Sequence, residues 1–339
     1  MEHLLNVRDL AVSFHTHAGE VKAVRGINFH LDKNETLAFV GESGCGKTVT
    51  AKTILRLLKP PFVEIGAESS IEFQGQDVIK MSKKNLQKYR GKDVSMIFQD
   101  PMTSLNPTMT CGKQIMESVL LHVTKNKKEA YDIALDTLKM VQIPDPEKRM
   151  KQYPHELSGG MRQRIMIAIA LSCKPSILIA DEPTTALDVT IQAQVIDLLR
   201  ELKTATKAAV ILVTHDLGVV ANFADRIQVM YAGKIVERGT AQDIFYKSRH
   251  PYTWALLNSV PKLAKERKQA LYSLRGTPPD LILPLEHCPF AARCQYCMPI
   301  CKEVFPEETV IDGQHSVHCF LTHPNAPAVT PLYQMEVSS

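Results

Sequence analysis

Gly41-Glu42-Ser43-Gly44-Cys45-Gly46-Lys47-Thr48 has the form G-x-x-x-x-G-K-[ST], the spacing of a phosphate-cradling P-loop. The preceding Thr36-Leu37-Ala38-Phe39-Val40 is a short apolar run that reads as a buried strand. Val49 to Leu58 carries apolar residues at helical spacing, so the motif sits in a strand–loop–helix context. In that context the glycines let the backbone wrap a polyphosphate and aim successive N–H groups at its oxygens. A helix beginning near Gly46 adds the positive end of its dipole. Lys47 supplies a mobile cation for the β- and γ-phosphates, and the Thr48 hydroxyl is placed to ligate Mg²⁺. Gly41 to Val49 therefore implies a nucleoside triphosphate site.

The composition bounds the rest. A chain of 339 residues has room for an ordinary α/β domain plus a smaller one. With 45% hydrophobic and 22% charged residues it can build a sizeable core. A net charge of +4 is too mild for a dedicated nucleic-acid binder. The basic runs at Lys83 to Lys92 and Lys125 to Lys128 read as solvated helix faces. The apolar stretch Ile165 to Ala180 is broken by Lys174-Pro175 and is too short to span a bilayer. Met1-Glu2-His3 opens no signal peptide, so the expected compartment is the cytosol, with any membrane association made through a partner.

Alternating apolar positions over residues 4–31, with a turn at Gly19-Glu20, predict antiparallel strands ahead of the loop. Pro60-Pro61 ends the helix after it. Further strands are expected at Ile71 to Phe73, Ser95 to Phe98, Ile177 to Ala180, Ala209 to Val213, Ile227 to Met230 and Lys234 to Glu237. Helical patterns run from Cys111 to Val141, Met161 to Cys173 and Ile191 to Leu202. Strands alternating with helices predict an α/β fold with a mainly parallel sheet. After His250-Pro251-Tyr252 come a connecting helix (Thr253 to Val260), a charged stretch (Lys262 to Lys268), a Pro-rich segment (Thr277 to Pro284), a cysteine-rich module and a loose tail.

Two motifs complete the loop. An aspartate ending an apolar strand is suited to holding Mg²⁺, and Ile177-Leu178-Ile179-Ala180-Asp181-Glu182 supplies one, with the Glu182 carboxylate next in line to polarise a water. Leu157-Ser158-Gly159-Gly160-Met161 is a capped, glycine-rich helix start and so a second anion site. Together with the P-loop, that LSGG run resembles the signature of ABC transporter nucleotide-binding subunits. The resemblance implies an ABC-type P-loop NTPase domain, a RecA-like core with an antiparallel β subdomain and a helical subdomain, plus a small C-terminal cysteine-rich extension.

It further implies that Ser158, Gly159 and Gly160 act on ATP held by an opposing subunit. Gln99 matches the Q-loop glutamine, a further contact to Mg²⁺ beside Thr48 and Asp181. Asp188 in Ala186-Leu187-Asp188 matches the D-loop, His215 the switch histidine, and Phe14 the aromatic that stacks on adenine, although a lone strand Phe is equally a core residue. Met161 stands where Gln is commoner. Catalysis would use Glu182 as general base with Lys47, Gln99 and His215. The implied boundaries are a nucleotide-binding domain at 1–250 (helical subdomain about 100–170), a connecting helix and linker at 251–285, a cysteine module at 286–323 and a tail at 324–339.

Phe98 to Pro107, Asp181 to Gln194 and His250-Pro251-Tyr252-Thr253 resemble the branch importing dipeptides, oligopeptides or nickel, and most of all the first of the two ATPase subunits of a dipeptide or oligopeptide importer; the rival reading is a soluble, non-transport ABC-type ATPase. That branch implies two transmembrane permease subunits, a second related ATPase forming a heterodimer, and an extracytoplasmic peptide-binding protein. It places the chain, without nucleic acid, on the cytoplasmic face of a bacterial or archaeal membrane. Cys288-x5-Cys294-x6-Cys301-x17-Cys319 matches a pattern that in some members carries a [4Fe-4S] cluster. The expected occupant is an iron–sulfur cluster with a structural role; four thiolates also suit Zn²⁺, with His315 or His318 able to substitute, Cys297 permits another choice of four, and reduced thiols packing a small domain are the bland reading. Cys45, Cys111 and Cys173 read as buried or incidental thiols.

Overall fold

The computed structural model describes residues 3–184, 189–259 and 274–331. The chain divides into two compact units, one of residues 1–6, 30–36 and 72–213, the other of 7–29, 37–71 and 214–339.

In the first unit, three parallel strands carry the acidic motif. Val94–Ile97 pairs with Ile177–Asp181, which pairs with Ala209–Thr214, in registers Val94↔Ile177 and Asp181↔Val213. Every residue of the three is buried, as expected of a parallel sheet covered on both faces. The expected Cys111 to Val141 helix is two, Cys111–His122 and Lys127–Met140. The break falls where Asn126 caps the second helix, its side chain accepting from the Lys128 and Glu129 N–H groups. Ile115 and Val119 on one, and Ala130, Ala134 and Leu138 on the other, form a core at one-turn spacing. The helix Gly159–Leu171 follows, with Ser158 accepting from the Met161 N–H.

Leu5–Thr16 and Gly19–Leu31, most of whose residues belong to the second unit, form a long hairpin, and Val63–Ile65 adds antiparallel to the first strand (Val12↔Ile65, Phe14↔Val63). The strand before the P-loop, Thr36–Val40, pairs parallel with Arg226–Tyr231. Lys234–Thr240 returns antiparallel through Ala232 (φ 48°) and Gly233 (φ 80°), the two positive φ values of a tight hairpin turn. The C-terminal hairpin Thr309–Asp312 and His315–Val317 then extends this sheet, with Glu237↔Val317 in register. The connecting helix is Pro251–Ser259. Val260, the stretch Lys262 to Lys268, the D-loop residues 186–188 and the last eight residues lie outside the described ones. No helix among the described residues is long and apolar enough to cross a membrane.

Candidate active site

The P-loop leaves a fully buried strand and enters the helix Lys47–Ile54. Two glycines are enforced by packing. A Cβ on Gly41 would lie 2.2 Å from the Met230 carbonyl oxygen, and one on Gly46 (φ 106°) 2.5 Å from that of Ala23. The cradle is thus one that side chains would fill, which fits a polyphosphate approached by bare backbone. Ser43 and Gly44 are exposed at its tip. Lys47 is 4% exposed, and its Nζ donates to the carbonyls of Gly41 at 2.7 Å and Glu42 at 3.0 Å. Cys45 is buried against it; desolvation pushes that thiol up, partly opposed by the Lys47 charge. Thr48 and Val49 are half-buried in the first helical turn.

Also in this unit, Phe14 lies half-buried on its strand, and His215 is exposed after Ala209–Thr214. The turn beyond is shaped by Asp216, whose N–H donates to Thr214 Oγ1 at 3.0 Å and whose carboxylate accepts from the Gly218 N–H at 2.8 Å.

The first unit brings Gln99 and Glu182 together. Gln99 Nε2 donates to Glu182 Oε2 at 3.0 Å. Asp181, 1% exposed, ends its strand, and the chain then turns sharply, with Glu182 at φ 45°. The Glu182 N–H donates to Val213 O at 2.8 Å, so the carboxylate projects from a backbone fixed on both sides. Asp181 and the hydroxyl of Thr48 are hard oxygen donors, the chemistry Mg²⁺ prefers.

The signature turn presents Ser158 and Gly159 to solvent, with Gly160 half-buried. A Cβ on Gly159 would meet nothing within 4 Å, so open space lies beside this position. Sequence reasoning missed Gln163. It is 1% exposed on the signature helix, and its Nε2 donates to Pro183 O at 2.7 Å, tying that helix to the residue after Glu182. The available signal was a polar side chain on the apolar face of a helical block.

The C-terminal cysteines gather in one region. Cys288 and Cys301 are buried, Cys294, Cys297 and Cys319 half-buried, and the Cys288 N–H donates to Cys301 O at 3.1 Å. Burial pushes the Cys288 thiol up to about 11 and Cys294 up to about 12, and raises Cys319 as well, each reinforced by its neighbours' charge. The one group of three metal-type donors converging within 4.8 Å among the described residues is His3, His30 and Asp32, not the cysteines.

A buried strand feeding a P-loop, with an acidic strand end and a capped glycine-rich helix start, defines a P-loop ATP-binding cassette. Comparison with known proteins agrees. The family described as ABC transporter matches residues 24–185, and that described as oligopeptide/dipeptide transporter, C-terminal region, matches 236–301. The chain is 53% identical to the oligopeptide transport ATP-binding protein OppD of Bacillus subtilis, covering 97% of this chain and 91% of that protein. It is 54% identical to the dipeptide transport ATP-binding protein DppD of the same organism, over 95% of each. Among solved structures it resembles a dimeric ATP-binding cassette in a post-hydrolysis state with ADP and Pi, at TM-score 0.62 and 25% identity, over 70% of this chain and 98% of that one. The chain belongs to the oligopeptide/dipeptide branch of ABC transporter ATP-binding proteins.

These findings correct one expectation. The relatives are described as transport ATP-binding proteins and the matched C-terminal region ends at residue 301, short of Cys319; none of these descriptions carries an iron–sulfur cluster. The cysteine sulfurs also fail to converge in threes at the spacing of a shared zinc ion. Neither cluster nor zinc enters the functional reading.

Proposed function

We propose that the chain is the ATP-hydrolysing subunit that energises import of di- or oligopeptides by an ABC transporter. The observation carrying this is the joint occurrence of P-loop, Asp181-Glu182 and LSGG in a chain about half identical, along nearly its whole length, to dipeptide and oligopeptide transport ATP-binding proteins. The nickel alternative has no counterpart among those relatives. The domain boundaries expected above are part of the proposal. So is the assembly: two permeases, a second related ATPase, an extracytoplasmic binding protein, and docking on the cytoplasmic face of the membrane.

Gly41 to Val49 wraps the phosphates, Phe14 stacks on adenine, and Lys47 neutralises charge developing on the transferred phosphoryl group. Thr48, Gln99 and Asp181 are the residues that would hold Mg²⁺, which when bound would supply positive charge to offset that of the phosphates. Glu182 takes a proton from the attacking water as the water oxygen bonds to the γ-phosphorus and the β–γ bridging bond breaks, leaving ADP and phosphate. The Gln99–Glu182 hydrogen bond supports this role by holding the carboxylate in one direction. His215 contacts the γ-phosphate. Ser158, Gly159 and Gly160 act on the partner's ATP, Asp188 is the D-loop residue of the ATP site, and closure and reopening of the pair drive the permeases.

Glu182→Gln tests the reading. It keeps the shape and removes the base, so ATP should be bound and retained while steady-state hydrolysis falls by about 10²–10⁴-fold. Rapid turnover by this variant would defeat the assignment.

A further inference from the structure

The second residue of the P-loop, Glu42, is held at all three of its polar groups. Its N–H donates to the Tyr252 hydroxyl at 2.8 Å, and its carbonyl accepts from Lys47 Nζ at 3.0 Å. Its carboxylate takes a two-pronged pair from Arg293, with Nη1 to Oε2 at 2.6 Å and Nη2 to Oε1 at 2.9 Å. Arg293 lies in the C-terminal region, on the short turn Ala291–Arg293. Its side chain is 4% exposed and is itself fixed: Nε donates to Arg275 O at 3.0 Å and Nη1 to the Tyr231 hydroxyl at 3.1 Å. The Glu42 hydrogen bonds hold the guanidinium above its ordinary range. Phe290, 2% exposed, packs against the rings of Tyr231 at 5.3 Å and Tyr252 at 5.4 Å. The Pro-rich segment is pinned nearby, with Lys22 N–H and Arg25 Nη2 both donating to Leu281 O, at 3.0 and 2.7 Å. Together Pro278 to Leu281, Tyr231 and Glu42 to Cys45 line a cavity of about 340 Å³ beside the loop.

We propose that Arg293 is a positioning residue for ATP binding: the C-terminal extension braces the P-loop through the Arg293–Glu42 pair. Two physical effects follow. The brace orders the loop before nucleotide arrives, so binding bears less of the ordering cost. It also neutralises a carboxylate inside a loop that must receive a polyphosphate; without Arg293, the Glu42 charge repels the ligand. Both effects act on binding, and neither touches the reacting atoms. A planar guanidinium is required, because a lysine ammonium cannot reproduce the two parallel bonds. The inference rests on the P-loop being the ATP cradle, and ATP binding by the native chain tests that separately.

The test is equilibrium titration of the full-length chain with a fluorescent ATP analogue in Mg²⁺, together with kcat and KM for ATP in the assembled transporter. Arg293→Ala should raise Kd and KM about tenfold, equivalent to about 1.4 kcal/mol, with kcat changed less than about twofold. Arg293→Lys should fall between this and the native chain. The pair Arg293→Ala/Glu42→Gln should bind no worse than Arg293→Ala alone, because removing the stranded carboxylate relieves the repulsion. Should Arg293→Ala fail to fold, Arg293→Lys still carries the test, with a Kd raised about threefold. An unchanged Kd in the folded Arg293 variants, a loss confined to kcat, or an additive loss in the double variant would each overturn the proposal.

Discussion

Replacing Gly46 by alanine is expected to abolish nucleotide binding at working concentrations while leaving the chain folded. Gly46 sits at φ 106° and ψ −2°, immediately before Lys47, and its carbonyl accepts from the Thr50 N–H at 2.9 Å. A left-handed conformation costs an L-residue about 1–2 kcal/mol on its own. The added Cβ would also stand 2.5 Å from Ala23 O, where ordinary contact begins at 3.4 Å. That oxygen belongs to the backbone of the strand Gly19–Leu31, which cannot give way as a flexible side chain would. The loop must therefore retreat by nearly 1 Å, carrying Lys47 and its N–H donors with it. A misplacement of about 1 Å in a preorganised site costs about 10²-fold, or about 2.7 kcal/mol. Titration with a fluorescent ATP analogue reads the loss, and a thermal melt by circular dichroism reports whether the fold survives. A folded variant binding within about threefold of the native chain would refute the claim that packing against Ala23 sets the cradle.

Two further predictions concern stability. His250 is fully buried, its Nδ1 accepts from the Tyr252 N–H, and burial with help from the His318 charge lowers its pKa to about 3. The native state declines a proton that the unfolded chain accepts near pH 6.5, so this contribution is complete above that pH. It is lost as pH falls towards 3, by up to about 1.4 kcal/mol per unit. Urea unfolding at stepped pH should show a shallower decline for His250→Asn; an identical slope would count against it. Glu237, 1% exposed, accepts from Arg249 N–H at 2.5 Å, His250 N–H at 3.2 Å and His315 Nε2 at 2.9 Å. Glu237→Ala strands those donors and should cost about 3–5 kcal/mol, seen as a lowered urea midpoint, whereas an unmoved midpoint would contradict it.

What was legible in the sequence follows from how local each signal is. Gly41 to Thr48, Ile177 to Glu182 and Leu157 to Met161 carry their chemistry in short runs whose flanks declare strand or helix. The break between the two middle helices was also written locally, in Asn126, but continuous apolar spacing masked it. Non-local pairings left no such mark. Thr309–Asp312 is mostly exposed and only four residues long, so nothing in its pattern says that its hairpin extends the sheet beside Lys234–Thr240. The Arg293–Glu42 pair joins residues 251 positions apart, and an arginine among cysteines gives no sign of its partner. The cysteine pattern pulled the opposite way: four thiols at suggestive spacing fit several chemistries, and spacing alone does not choose among them.

The most direct test of the account is uptake of labelled dipeptide, a longer peptide and Ni²⁺ into cells whose redundant importers are deleted, carrying the native chain or Glu182→Gln. An importer subunit of this family predicts that peptide uptake is lost in the variant while Ni²⁺ uptake is unchanged. Peptide uptake at the native rate, or loss of Ni²⁺ uptake alone, would contradict it.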